Sequence, residues 1–181
     1  MAKNVQVFQY RSYDPFTILI TKYIDYLWNW YFMNRIANFQ DFLGINFYNR
    51  NKMLFWKIKN DNKKRSDMGW ELYPQGLYNA TQKMYSRYKK PIYITETGLA
   101  DSHDQDREWY IKKNIEAMSR ALKEGIDIKG YLHWSLLDNF EWDKGFWPRF
   151  GLIEVDFKTQ KRKVRQSTKK YSEIIKLQKT L

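Results

Sequence analysis

One carboxylate stands at the end of a run of strand-forming residues: Pro91-Ile-Tyr-Ile-Thr-Glu-Thr-Gly98 places Glu96 two residues before a turn-forming glycine. α/β barrels build their active sites from charged side chains delivered to the C-terminal lip of a strand. The competing reading is a solvated glutamate that merely ends a strand. A second concentration lies at His133-Trp-Ser-Leu-Leu-Asp-Asn-Phe-Glu-Trp142, where two indoles, Trp134 and Trp142, accompany the carboxylate of Glu141. An indole combines a large apolar face with one N–H donor, which can serve a ligand pocket. Core packing competes as the explanation of Trp134, and an ion pair with Lys144 or Arg149 competes for Glu141. Asn46-Phe-Tyr48 ends a third apolar run, where the amide of Asn46 has the alternative of capping its strand.

Other chemistries lack their residues. Two histidines, His103 and His133, and no cysteine leave no set of metal ligands. No glycine-rich phosphate loop occurs, and Ser135 has no triad around it. The chain is therefore expected to use no cofactor.

Strands must stand behind these residues, and the chain alternates helix and strand signals. Asp14-Pro15 opens a helix that runs to about Arg35. FLGINFY (42–48) reads as a buried strand, and 49–70 as a long polar loop. Pro74 starts a helix with Leu77, Thr81, Met84 and Tyr88 at helical spacing, before the strand PIYIT. Ser102 and Gln105 have capping-box spacing ahead of a helix containing Trp109, Ile115, Met118 and Leu122, closed by Gly125. IKGYLHWS (128–135) is a third strand. An aromatic loop (136–148), the strand-like GLIEVDF and a terminal helix with Tyr171, Ile174 and Ile175 complete the chain. This order implies parallel strands joined by right-handed crossovers. Residues 16–36 approach the hydrophobicity of a membrane span, but Lys22, Asp25 and Arg35 interrupt them. Thr17, Thr21, Asp25 and Asn29 recur every four residues, which predicts a helix with that stripe as its wet edge and a wide buried face.

At 181 residues one domain is expected, residues 1–181. The absence of cysteine fits a reducing compartment, and the N-terminus has no apolar segment of signal-peptide length, so a cytoplasmic location is expected. A net charge of +12 with 18% aromatic residues would suit a nucleic-acid binder. The distribution argues against it: basic residues scatter through 50–65 and 158–170, without zinc spacing, an aromatic RNP pattern or a basic heptad region. Solvated surface is the better reading, and neither nucleic acid nor membrane is expected as a partner.

Asn46-Phe-Tyr48, Thr95-Glu-Thr-Gly98 and the 133–142 segment, continued by GFWPRFGLIEVDFKTQKR (145–162), together resemble the family 1 glycoside hydrolases, β-glucosidases and β-galactosidases built on a (β/α)8 barrel. The resemblance covers about Lys22 to Ile175. It implies that Glu96 is the catalytic nucleophile and that Tyr48 orients it through a hydrogen bond. It also implies that Asn46, Trp134, Glu141 and Trp142 bind the sugar, with Phe150 lining the same pocket. Thr97 stands where the family has asparagine and Phe47 where it has tyrosine; neither carries a reacting atom. The family's acid/base triplet, Asn-Glu-Pro, occurs nowhere in the chain, and its upstream sugar-binding glutamine and His-Trp positions have no counterpart.

The fold implied is α/β, an incomplete (β/α)8 TIM barrel with the last three barrel strands, their helices and a short extra strand, residues 1–14 forming an unmatched leader. The function implied is the C-terminal portion of a retaining β-glycosidase acting on β-linked glucosides or galactosides. It carries the nucleophile but lacks the acid/base, and the isolated chain is expected to be inactive. A retaining glycosidase needs two carboxyl groups about 5–5.5 Å apart, and only one is supplied. Closing a barrel takes at least about 200 residues, so open strand edges should invite pairing with an N-terminal half-barrel chain or self-association. The expected ligand is a β-glycoside or monosaccharide. The alternative is a non-catalytic sugar-binding or half-barrel remnant that needs a partner chain.

Overall fold

The computed structural model describes residues 2–178. Its centre is a four-stranded parallel sheet in the order β1 (Ala2–Asn4), β3 (Leu43–Asn46), β6 (Ile92–Thr97) and β7 (Ile128–His133). The sequence predicts three such strands. The fourth comes from the leader, where Ala2 pairs with Gly44 and Asn4 with Asn46 in parallel register. Three residues reading Ala-Lys-Asn contain no apolar period that could announce a strand.

Helices bridge the strands. Between β1 and β3 run α1 (Pro15–Asp25), a π turn (Tyr26–Trp30) and α2 (Tyr31–Ile36); α3 (Gln75–Tyr88) precedes β6, α4 (Arg107–Lys123) precedes β7, and α5 (Gln166–Gln178) comes last. The core packs Leu43, Ile45, Ile92 and Ile94 of the sheet against Leu77, Ala80 and Met84 of α3 and Ile111, Met118 and Ala121 of α4. Fully burying each of the larger aliphatic side chains contributes about 1.5–3 kcal/mol.

Three local expectations are corrected. The polar segment 49–70 is not all loop: β4 (Arg50–Leu54) pairs in parallel with β2 (Val7–Tyr10) and antiparallel with β5 (Lys57–Ile58). Charge pairing takes the place of an apolar pattern there, since Arg11, Arg50 and Lys52 converge on Asp61 and Arg50 also forks onto Glu71 at 2.9 and 3.0 Å. The cap of α4 is not Ser102: the carboxylate of Asp101 accepts from the backbone N–H groups of Asp106 and Arg107 at 2.9 and 3.0 Å. Ser102 N–H donates instead to Asp67.

The third correction inverts α1. Thr17, Thr21 and Asn29, expected at the wet edge, are 0, 2 and 1% exposed. They face backbone that needs partners: Thr17 Oγ1 accepts from Phe55 N–H at 2.9 Å, and Asn29 both donates to the carbonyl of Gln6 at 2.8 Å and accepts from its N–H at 3.1 Å. A buried backbone group without a partner costs as much as a lost hydrogen bond, so polar side chains win these inward positions. The short strand Ile153–Val155 (β8) pairs antiparallel with β9 (Arg162–Val164), whose side chains are exposed.

Candidate active site

The C-terminal ends of β3, β6 and β7 lie side by side. Asn46 is opposite Glu96, and Thr97 is opposite His133, each next to a register shift. Backbone bonds extend the alignment past the strands: Phe47 N–H donates to Glu96 O and Trp134 N–H to Thr97 O, both at 2.9 Å. Gly98 is required by this closeness, because a Cβ there would sit 1.9 Å from the carbonyl oxygen of Trp134.

Tyr48 Oη donates to Glu96 Oε2 at 2.9 Å. Burial pushes the Tyr48 phenol well above its ordinary range, and the Glu96 charge and hydrogen bond add to the effect, so the phenol keeps its proton and acts as donor. Its backbone is held in turn by Tyr110, fully buried, whose hydroxyl donates to the Tyr48 carbonyl at 3.1 Å. Burial pushes the Tyr110 phenol up to about 12. Asn46 is tied to β6 by accepting from Thr95 Oγ1 at 2.6 Å.

Glu141 is half-buried. Burial raises its pKa above the ordinary carboxyl value, the Glu96 charge adds to this, and a hydrogen bond from Trp134 opposes it. Glu96, Trp134 and Glu141 are thus within electrostatic reach of one another. The ion pair weighed for Glu141 is not what its basic neighbours form, because Lys144 pairs with Asp143 at 2.7 Å and Arg149 with Asp138 at 3.4 Å.

Two residues that the resemblance places at the sugar are differently disposed. Trp142 is 80% exposed, in a 3-10 turn spanning Trp142–Lys144. Phe150 is 1% exposed and presents no face to a ligand; its ring packs 6.1 Å from Tyr48 and 6.3 Å from Trp70. Trp70 closes the trio, its ring 5.7 Å from that of Tyr48. Trp70 therefore belongs to the site's support.

That support includes charges that sequence reasoning overlooked. Asp138 accepts from Gly151 N–H (2.8 Å), Val155 N–H (3.2 Å) and Arg165 Nη2 (3.0 Å), and is itself 4% exposed. Arg107, fully buried, donates to the carbonyls of Asp101 (2.6 Å) and Arg149 (2.8 Å) and pairs with Asp104. Arg107 ties the 98–106 loop to the 136–156 segment, and Asp138 holds that segment together and to Arg165. A usable signal for Asp138 was its position inside an apolar and aromatic run, where an acid is buried only if fully bonded. His133 is wedged in the same layer: burial, with the charge of Arg107 adding, holds its imidazole down to about 3.

The glycosyl hydrolase family 1 model matches residues 13–180. A β-galactosidase of Sulfolobus acidocaldarius is 49% identical over 109 residues, which are 60% of this chain and 22% of the relative. Beta-glucosidase A of Thermotoga maritima is 39% identical over 162 residues, 80% of this chain and 36% of the relative. Among solved structures, a β-glycosidase from Pyrococcus horikoshii superposes with a TM-score of 0.90 at 33% identity, covering 96% of this chain and 47% of that one. A Thermotoga maritima β-glucosidase in complex with glucoimidazole gives 0.88 at 31%, covering 97% and 50%. The chain thus spans between 22 and 36% of these curated relatives and about half of these solved chains.

Proposed function

Because the chain belongs to glycosyl hydrolase family 1, we propose that it is the nucleophile-bearing C-terminal portion of a retaining β-glycosidase for β-linked glucosides or galactosides. The observation that carries this reading is the 2.9 Å bond from Tyr48 Oη to Glu96 Oε2 at the meeting of three parallel strand ends. The phenol holds one oxygen of Glu96 and leaves the other free to meet a substrate. In the reaction proposed, a Glu96 oxygen attacks the anomeric carbon as the glycosidic C–O bond breaks, and the leaving oxygen takes a proton from a second carboxylic acid. Water then cleaves the glycosyl ester, giving its proton back to that second group.

The second carboxyl group is not Glu141. Its bond from Trp134 suits it to receive sugar hydroxyls, in company with Asn46, and Trp142 remains as an outer platform. The acid/base belongs instead to four complementary strands that complete the barrel beside the open edges of β1 and β7, whether in the same polypeptide or in a separate half-barrel chain. The barrel is incomplete without them, and residues 2–178 alone should not turn over substrate.

The test is to join the chain with a family-type N-terminal half carrying Asn-Glu-Pro and to assay an aryl β-glucoside. Turnover is expected, and Glu96→Gln should lower it by about 10⁴-fold or more. A folded, associated pair without turnover, or equal turnover with Glu96→Gln, would overturn the reading. A second reading, sugar binding without hydrolysis, draws on the Trp134–Glu141 contact, which lies wholly within the chain. Calorimetric titration of the isolated chain with glucose and galactose decides it: no heat beyond dilution removes it.

A further inference from the structure

Tyr48 makes its bond to Glu96 from a place where the central sheet has already ended. β3 stops at Asn46, the last backbone bond between the two strand ends runs from Phe47 N–H to Glu96 O, and at Arg50 the chain enters β4, which belongs to a different sheet. Strand pairing therefore fixes Glu96, which lies inside β6, but not Tyr48. The rings of Trp70 and Phe150, at 5.7 and 6.1 Å, limit the sideways travel of the phenol. Its hydroxyl is at the far end of the side chain, however, so a small rotation of the residue 48 backbone displaces Oη much more than Cα. Among the described residues, the one hydrogen bond to the Tyr48 carbonyl comes from Tyr110 Oη, at 3.1 Å.

Tyr110 can act as a fixed point. It lies in the first turn of α4, where its N–H donates to Asp106 O at 2.9 Å and the carboxylate of Asp101 accepts from the N–H groups of Asp106 and Arg107. Its ring is wholly buried in a cluster with Leu72 and Leu99. Thr97, the residue after Glu96, neighbours the Tyr110 hydroxyl and, with Asn114, partly offsets the rise that burial imposes on that phenol. One buried oxygen thus holds the backbone that carries the donor and adjoins the strand that carries the acceptor. A phenylalanine would fill the same apolar cluster without the cost of burying a hydroxyl.

We propose that Tyr110 is a positioning residue for the hydrolysis, a role that rests on the reading of Glu96 as nucleophile. Its hydroxyl pins the Tyr48 carbonyl, and the pinned backbone keeps Tyr48 Oη in contact with the Glu96 carboxylate. Tyr110 itself meets no substrate, because it is buried on the far side of the residue it holds. Its effect reaches the reacting atoms only through the phenol of Tyr48, and displacements well under 1 Å at such a contact are enough to slow a reaction.

Tyr110→Phe removes one oxygen and keeps the ring among Leu72 and Leu99. In the barrel completed with an Asn-Glu-Pro half it should lower kcat about tenfold and leave KM within about twofold. In a Tyr48→Phe background the same substitution should cost nothing further, because no hydroxyl is left to aim; a merely structural role would cost as much in both backgrounds. Leu72→Ala, which opens a cavity in the same cluster and keeps the hydroxyl, should lower stability without reproducing that pattern. A second readout needs no turnover. With carbon-13 at the tyrosine ζ position, the Tyr48 resonance of the chain by itself should move in Tyr110→Phe in the same direction as in Glu96→Gln. An unmoved resonance, an unchanged kcat, an equal loss in both backgrounds, or the same pattern from Leu72→Ala would each overturn the proposal and leave the nucleophile in place. Equal turnover with Glu96→Gln would instead remove the nucleophile, and this proposal with it.

Discussion

Beneath the strand ends, charged groups are inside and apolar groups cover them: Asp138 and Arg107 are almost wholly buried and multiply bonded. Along α1, hydroxyls and an amide are inside and rings are outside. In both places the inward polar atoms do the same thing, which is to satisfy backbone. Asp138 accepts from Gly151 and Val155, Asn29 brackets Gln6, and Thr17 serves Phe55. Local backbone demand, more than hydropathy, decides which face turns inward. The regions differ in where the complementary apolar surface comes from: the rim finds it within the chain, and the helix must find it elsewhere.

The largest expected effect breaks the rim side of this comparison. Asp138→Ala takes from buried Arg165 its nearest carboxylate and from two buried backbone N–H groups their acceptor, and should cost about 3–5 kcal/mol in urea unfolding. Thr17→Val on the helix removes a single acceptor and should cost about 1–3 kcal/mol. A reversal of that order would mean that the rim charges are less integral than their bonds suggest. Next comes Gly98→Ala. A methyl group 1.9 Å from the Trp134 carbonyl forces β6 and β7 apart, with an expected loss of about 1–3 kcal/mol. Because Glu96 and Trp134 would separate, turnover in the completed barrel should fall further than stability does.

A pH effect sharpens the comparison further. His133 stays neutral in the folded chain down to about 3, while in the unfolded chain it protonates near 6.5. The unfolded state therefore binds the extra proton. Stability from this group is complete above about pH 6.5 and is lost as pH falls toward 3, by about 1.4 kcal/mol per unit. Urea titrations of the parent and His133→Gln between pH 6 and 4 should diverge with that slope; parallel curves would show that the imidazole is not sealed in the layer.

What could be read from the sequence followed from how each feature is encoded. The positions of Glu96, Tyr48 and Trp134 could be anticipated because they lie at or just past the ends of strands whose apolar runs are easy to see, whereas Glu141, in the loop beyond β7, was marked only by the resemblance; the parallel order of those strands follows from the helices between them. Asp138 and Arg107 were not, because a buried ion is indistinguishable from a surface ion until its partners, distant in sequence, are in place. The polarity of α1 failed for another reason: periodicity shows that a helix has two faces but not which one turns inward. Phe150 lies beside Tyr48 but is only 1% exposed, a matter of depth that no spacing encodes.

The smallest effect concerns Glu141, and its sign is opposite to that of His133. Its folded pKa is raised, by burial first and then by Glu96, so the folded state holds this proton more tightly than the unfolded state and ionisation opposes folding. The penalty is present at neutral pH and disappears as pH falls through the raised value. Glu141→Gln should therefore be slightly more stable than the parent at pH 7, with the difference closing near pH 4. Solvent screens a half-exposed site, so the gain should stay below about 1 kcal/mol. Because the Glu96 charge supplies part of the penalty, Glu96→Gln should shrink that gain in a double-mutant cycle. Additive effects of the two substitutions would show that the carboxylates do not sense each other across the mouth of the site.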